Sequence, residues 1–185
     1  MRFEVPFVWW NAEECASLLS HLNITIYIIT MQIGDKVPEV LGVDQEGREW
    51  RMSDFSGRKV ILYFYPKDST PGCTAEACSL RDHFGELQAL GYDILGVSAD
   101  SAESHQKFAA AQSLPFPLIA DTDKRLIEAM GVWGEKNRYG RITVGLLRTT
   151  FLIDEQGCVE RIFTPGQIRT KIHAEQILKA VAPKA

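Results

Sequence analysis

Cysteine is scarce in this chain, four residues in 185, and no two are spaced as Cys-x-x-Cys. So few thiols do not make the disulfide framework of a small secreted domain, and the missing spacing argues against a dithiol motif of the thioredoxin kind. A zinc site needs about four ligands, often in cysteine pairs two to four residues apart. Neither a second pair nor a close histidine pair accompanies Cys73 and Cys78, and His21, His83, His105 and His173 are scattered. No apolar run approaches the roughly 18 residues of a membrane span, so none is expected. A glycine-rich phosphate loop is also missing, which leaves nucleotide binding unsupported. With a net charge of -4, the chain has no basic footprint for nucleic acid. What remains, 45% hydrophobic and 24% charged residues without internal repeats or low-complexity linkers, suits one globular domain with a substantial core.

The most informative stretch runs from Tyr65 through Pro66-Lys67-Asp68-Ser69-Thr70-Pro71-Gly72-Cys73 to Cys78. Before it, the β-branched and aromatic segment 59 to 65 reads as a buried parallel strand, which Pro66 stops. Behind it, Thr74 to Leu90 has the Ala, Glu, Leu and Gln content of a helix. The Pro-Gly turn therefore delivers Cys73 to a helix start, near unpaired N–H groups and the positive end of the dipole. Such surroundings, with a cation nearby, favour a thiolate nucleophile at neutral pH. Cys78 lies five residues on, about 8 to 9 Å away between Cα atoms in a regular helix. A disulfide needs less than about 7 Å, so any bridge between these two requires the first helical turns to unwind.

Pro66, Thr70 and Cys73 reproduce the Pro-x-x-x-Thr-x-x-Cys signature, and with it the chain resembles the peroxiredoxins. The continuation Cys73-Thr74-Ala75-Glu76-Ala77-Cys78 with Arg81-Asp82 is similar to the atypical two-cysteine branch known as bacterioferritin comigratory protein, or Q type. Similarity extends from about residue 34 to 181 and includes Asp54-Phe55-Ser56-Gly57-Arg58, Gly96-Val97-Ser98-Ala99-Asp100, Asp121-Thr122-Asp123 and the segment from Arg148 to Asp154. The resemblance implies a thiol peroxidase for hydrogen peroxide and alkyl hydroperoxides, serving antioxidant defence. It makes Cys73 the peroxidatic and Cys78 the resolving cysteine, joined transiently in a disulfide that thioredoxin reduces. Thr70 is then expected to hydrogen-bond the sulfur and the peroxide, Pro66 to shield the pocket, and Arg148 to stabilise the thiolate and polarise the O–O bond. Arg148 stands among Leu146, Leu147, Phe151 and Leu152, where an arginine has little apolar reason to be. Glu76 matches an acidic position of the motif, and equally suits the first turn of a helix. No metal, haem or flavin is implied, and the branch is usually monomeric.

The remaining pattern predicts an α/β domain of thioredoxin-like fold: a mixed central sheet flanked by helices, with an N-terminal β-hairpin. Segments 37 to 43 and 48 to 52 flank a turn at Asp44-Gln45-Glu46-Gly47 and form the hairpin. Strand 92 to 98, helix 101 to 112, strand 117 to 120 and a short helix near 124 to 130 continue a βα alternation. Segments 147 to 153 and 158 to 163 flank Asp154-Glu155-Gln156-Gly157 as a second hairpin, and 170 to 181 closes as an amphipathic helix. The stretch Trp133 to Gly145 reads only as an excursion rich in glycine and charge.

Met31 begins what resembles the ordinary start of this family, so residues 31 to 185 are expected to form the domain and 1 to 30 an extension of doubtful origin. That extension places Glu13-Glu14 before its apolar run Ile24 to Ile29, the wrong order for a secretory signal. Without secretion the sequon at Asn23 carries no meaning, and Cys15 is assigned no role. Cytoplasm is expected, because the thiols must be re-reduced. Cys158 reads as a half-buried thiol at a strand start, or a backup resolving thiol. Two further functional classes compete with the peroxidase. A thiol-disulfide oxidoreductase would want Cys-x-x-Cys, and a redox sensor would signal through sulfenate formation at Cys73 without fast turnover.

Overall fold

The computed structural model describes residues 31–138 and 141–182, without the side chains of residues 137, 138 and 141. The expected extension, residues 1 to 30, lies outside the described part. Strands β1 (Val40–Val43) and β2 (Glu49–Arg51) pair antiparallel as the N-terminal hairpin, shorter than expected. Its register shifts between Val40 and Gly42, and residues Met52–Phe55 leave β2 as a 3-10 turn.

The central sheet has five strands in the order β5 (Leu118–Ala120), β4 (Tyr92–Ser98), β3 (Lys59–Phe64), β8 (Thr149–Ile153), β9 (Val159–Phe163). β3, β4 and β5 run parallel, β8 pairs antiparallel with β3, and β9 pairs antiparallel with β8. This is the mixed sheet of the thioredoxin-like fold, with β3 at its centre. Strand alternation sorts β3 between two cores. Val60, Leu62 and Phe64 join Leu95, Val97, Phe151 and Ile153 on one face, where Leu41, Phe55 and Ile127 cover them. Ile61, Tyr63 and Tyr65 join Ile94 and Leu152 on the other, beneath Cys73, Ala77 and Leu80, Phe108, and Ala174 and Ile177. Fully burying a side chain of this size contributes about 1.5–3 kcal/mol, so both layers anchor the strand that leads into the Cys73 loop.

The helices on that second face are α1 (Pro71–Asp82), α2 (Phe84–Ala89), α3 (Ala102–Gln112) and α5 (His173–Val181); α4 (Arg125–Ala129) supplies Leu126 and Ile127 to the first. The single helix expected over 74 to 90 is instead two. At His83 the backbone leaves helical geometry (φ -108°, ψ 14°), and the His83 ring Nδ1 lies 3.0 Å from the Ser79 carbonyl oxygen. The closing helix likewise starts later, behind a 3-10 turn at Thr170–Ile172. The stretch read as an excursion is a hairpin, β6 (Trp133–Arg138) with β7 (Arg141–Leu146), paired from Trp133 opposite Leu146 outward. Its Ile142 and Val144 are exposed, so burial does not impose the alternation that identifies a strand.

Gly96 in β4 marks the tightest packing of the second core. A Cβ there would lie 2.6 Å from Leu118 Cδ2 and 2.7 Å from the Tyr63 hydroxyl. Gly96→Ala should therefore lower unfolding free energy by about 1–3 kcal/mol in urea titration, through overpacking. An unchanged midpoint would contradict the packing described.

Candidate active site

The site begins where β3 stops. Tyr65 still donates its N–H to Val97 O at 3.1 Å, and Pro66, which has none, ends the ladder half-buried at the foot of the loop. That loop contains Ser69 in the left-handed region (φ 55°), a conformation that must be held by its surroundings. Asp68 holds it. Its carboxylate accepts the Tyr65 hydroxyl at 2.8 Å, the Ser104 hydroxyl at 2.7 Å and a contact from His105 Nδ1 at 2.8 Å, while its own N–H donates to Asp100 Oδ2 at 2.7 Å. Burial pushes the Asp68 carboxyl up, but the bonds from His105 and Ser104 outweigh it and hold the group below the usual aspartate value. His105 Nε2 faces Ile119 O at 3.1 Å, an acceptor only, so that nitrogen carries a proton. The network thus ties the loop to the carboxyl ends of three parallel strands.

Thr70 caps α1 through its extended backbone, with Pro71 at the first helical position and Thr74 N–H bonded to Thr70 O at 2.9 Å. Its hydroxyl donates to Lys67 O at 3.1 Å, so its one hydrogen is engaged within the loop and is not directed at the Cys73 sulfur. Cys73 is the third residue of α1, 1% exposed, and its thiol is free. Arg148, in the connection between β7 and β8, donates from Nη2 to Cys73 Sγ at 3.2 Å and from Nη1 to Glu76 Oε2. The expected cation therefore lies against the sulfur, although the chain separates the two by 75 residues. Burial disfavours the Arg148 charge, yet the neighbouring Glu76 and Cys73 outweigh this and hold the guanidinium more firmly protonated than usual.

Glu76 is fully buried, which decides between its two readings: it faces the site and is not a solvated first-turn glutamate. Burial raises its carboxyl to about 7, against the pull of Arg148. Behind it sits His173, which burial lowers to about 4 and so keeps neutral. Its Nδ1 faces Gln176 Oε1 at 3.4 Å, which assigns the ring proton there and leaves Nε2 to accept the Thr150 hydroxyl at 2.8 Å. Nothing then donates to Glu76 Oε1, which lies 4.0 Å from His173 Nε2 and has no hydrogen-bond partner among the described residues. The Tyr63 hydroxyl is equally unpartnered, and burial with the charges of Glu76 and Cys73 pushes it well above the usual phenol value.

Cys78 is half-buried and its thiol is free; Sγ donates to Gln112 Oε1 of α3 at 3.4 Å. Since α1 is regular from Pro71 to Asp82, helix geometry keeps Cys73 and Cys78 about 8 to 9 Å apart. Cys158 stands half-buried beside β9, its N–H bonded to Asp154 Oδ1 at 2.8 Å. Among the described residues no cluster of His, Cys, Asp and Glu could hold a metal ion, and no helix is long and apolar enough to cross a membrane. Sequence reasoning missed Asp68 and His105. The available signal was helical spacing, since His105, Phe108 and Gln112 share one face of α3 and His105 is as buried as Phe108.

The model of the AhpC/TSA family matches residues 33–162. The chain is 41% identical over 148 residues to Peroxiredoxin Bcp of Escherichia coli K12, covering 80% of this chain and 94% of that protein. With Peroxiredoxin Bcp of Bacillus subtilis 168 the identity is 40% over 157 residues, 84% of this chain and all of the other. A solved Xanthomonas campestris bacterioferritin comigratory protein, described for alkyl peroxide reduction, superposes with a TM-score of 0.70 at 36% identity, covering 79% of this chain and 96% of that one.

The raised Glu76 carboxyl has a consequence for stability. Between its ordinary value of 4.5 and about 7, the folded protein keeps a proton that the unfolded chain has lost, so this group makes stability fall as pH rises through that window. Glu76→Gln should remove that contribution, and His173 cancels because both proteins contain it. Urea midpoints stepped from pH 4.5 to 8 should show the wild-type advantage eroding relative to the variant; parallel curves would contradict the assignment.

Proposed function

The chain belongs to the AhpC/TSA family and is a peroxiredoxin, a thiol-dependent peroxidase; from that premise we propose that Cys73 is its peroxidatic and Cys78 its resolving cysteine. The observation that carries the reading is the Arg148 guanidinium 3.2 Å from Cys73 Sγ, at the first turn of a helix whose dipole also favours an anion. The Cys73 thiolate attacks one peroxide oxygen, forming an S–O bond as the O–O bond breaks. Negative charge develops on the leaving oxygen, which departs as water or an alcohol once protonated. Arg148 donors fixed in a buried site lower that barrier more than they lower the ground state. Thr70 would join them by turning its hydroxyl from Lys67 O toward the peroxide, and Pro66 would keep solvent from the pocket.

Cys78 then displaces hydroxide from the Cys73 sulfenic acid, closing a disulfide after α1 unwinds. A dithiol reductant must reopen it, and thioredoxin is the one this reading assigns. Residues 31 to 185 form the enzyme domain in this account, 1 to 30 an extension, and the protein works as a cytoplasmic monomer on hydrogen peroxide and alkyl hydroperoxides. Against a thiol-disulfide oxidoreductase stands the lack of Cys-x-x-Cys, and against a pure sensor the cation aimed at the sulfur.

The test is peroxide consumption coupled to thioredoxin, thioredoxin reductase and NADPH. Cys73→Ser should abolish it, and undiminished turnover in that variant would sink the assignment. Cys78→Ser should complete one turnover and accumulate the sulfenic acid at Cys73, detectable by dimedone labelling. Normal cycling of that variant would move the resolving role elsewhere, with Cys158 the next thiol to test.

A further inference from the structure

The helix that must unwind is tied to α5 through Ser79, whose hydroxyl accepts the Ala174 N–H at 3.1 Å, and to α3 through hydrogen bonds that converge on one residue. Gln112 ends α3, where Ser113 turns left-handed (φ 51°). Its side-chain Oε1 accepts the Cys78 thiol at 3.4 Å, and its main-chain carbonyl accepts Arg81 Nη1 at 2.7 Å. That carbonyl belongs to the last helical turn, which leaves such groups without helical partners and favours a cation beside them. Arg81 is aimed there by Asp82, which accepts its Nε at 2.8 Å. One residue of α3 therefore grips α1 twice, once at the resolving sulfur and once a turn beyond it. Neither Gln112 nor Arg81 touches Cys73 in the contacts described above, and nothing in the peroxide step requires them.

We infer that Gln112 is a latch for the resolving cysteine: by holding Cys78 and Arg81 against α3, it keeps α1 wound and sets the rate at which Cys78 reaches the oxidised Cys73. The inference rests on the reading of Cys78 as the resolving thiol. In the wound state the thiol is hydrogen-bonded and about 8 to 9 Å from its target. To react, Cys78 must leave Gln112, lose its proton and attack Cys73 Sγ. The S–S bond then forms, the S–O bond of the sulfenic acid breaks, and hydroxide leaves to be protonated to water. The observed rate is the wound-to-unwound equilibrium multiplied by the chemical step, so an interaction present only in the wound state slows it in proportion to its strength. While the latch is closed, the sulfenic acid persists and a second peroxide can carry it to sulfinic acid.

Gln112→Ala removes the acceptor for the thiol, keeps the main-chain carbonyl, and places a strong helix former at a half-buried helix end. Arg81→Ala cuts the other arm. In rapid mixing of the reduced full-length protein with one equivalent of hydrogen peroxide, the first phase, Cys73 oxidation, should match the parent in both variants. The second phase, disulfide formation, should be about two- to tenfold faster in each, the range of one ordinary hydrogen bond. Under excess peroxide, both variants should accumulate correspondingly less sulfinic acid by mass spectrometry, and amides of α1 should exchange faster. A second phase at the parent rate or slower in either variant would overturn the latch. If the parent itself forms no disulfide between Cys73 and Cys78, the resolving assignment has failed, a result separate from failure of the latch.

Discussion

The contact between Arg148 and Cys73 is the interaction on which the rest of this structure depends. The sulfur comes from the first turn of α1 and the guanidinium from the connection into β8, so the pair exists only when β3 lies between β4 and β8 in the observed register. Two core layers enforce that register, because a slip of one residue would exchange the faces of Val60, Leu62 and Phe64 with those of Ile61 and Tyr63. Glu76 fixes the other end of the guanidinium. It spends a buried carboxyl, raised to about 7, on holding an arginine against a thiol.

If Cys73 and Cys78 react as proposed, a fold that holds one cysteine rigidly must still let the other travel. The two demands are met by different contacts. Asp68 and His105 lock the loop before the helix in a buried pair whose side chains are 4% and 0% exposed, and this pair has no need to open during the reaction. The end of α1, by contrast, rests on partly exposed contacts from Arg81 and Cys78 to Gln112, the kind that opens more readily than a buried network. Under the proposed roles of Cys73 and Cys78, the buried contacts lie where peroxide chemistry needs fixed donors and the exposed ones where the resolving thiol would move.

How much of this was legible beforehand follows from the same physics. The strand into Tyr65, the turn of Pro71 and Gly72, and the placing of Cys73 are local events, coded by neighbouring residues, and they read directly. Arg148 stood out because an arginine among leucines and phenylalanine needs a reason. The Asp68 to His105 pair did not read, because it joins residues 37 apart whose partnership is tertiary. The hairpin from Trp133 to Leu146 was hidden because its exposed Ile142 and Val144 face no core that would impose a pattern. The break at His83 was hidden too, since helix propensity continues through it and only the turn onto Ser79 ends α1.

The central claim is that a cation from the connection into β8 completes a thiol site at α1. It is tested most directly by the second-order rate of Cys73 oxidation by hydrogen peroxide in Arg148→Gln, followed in a single turnover. Loss of a donor aimed at the developing charge should slow that step by about 10²- to 10³-fold while the protein stays folded by circular dichroism. An oxidation rate within a factor of about two of wild type, corresponding to a negligible change in barrier, would contradict the account.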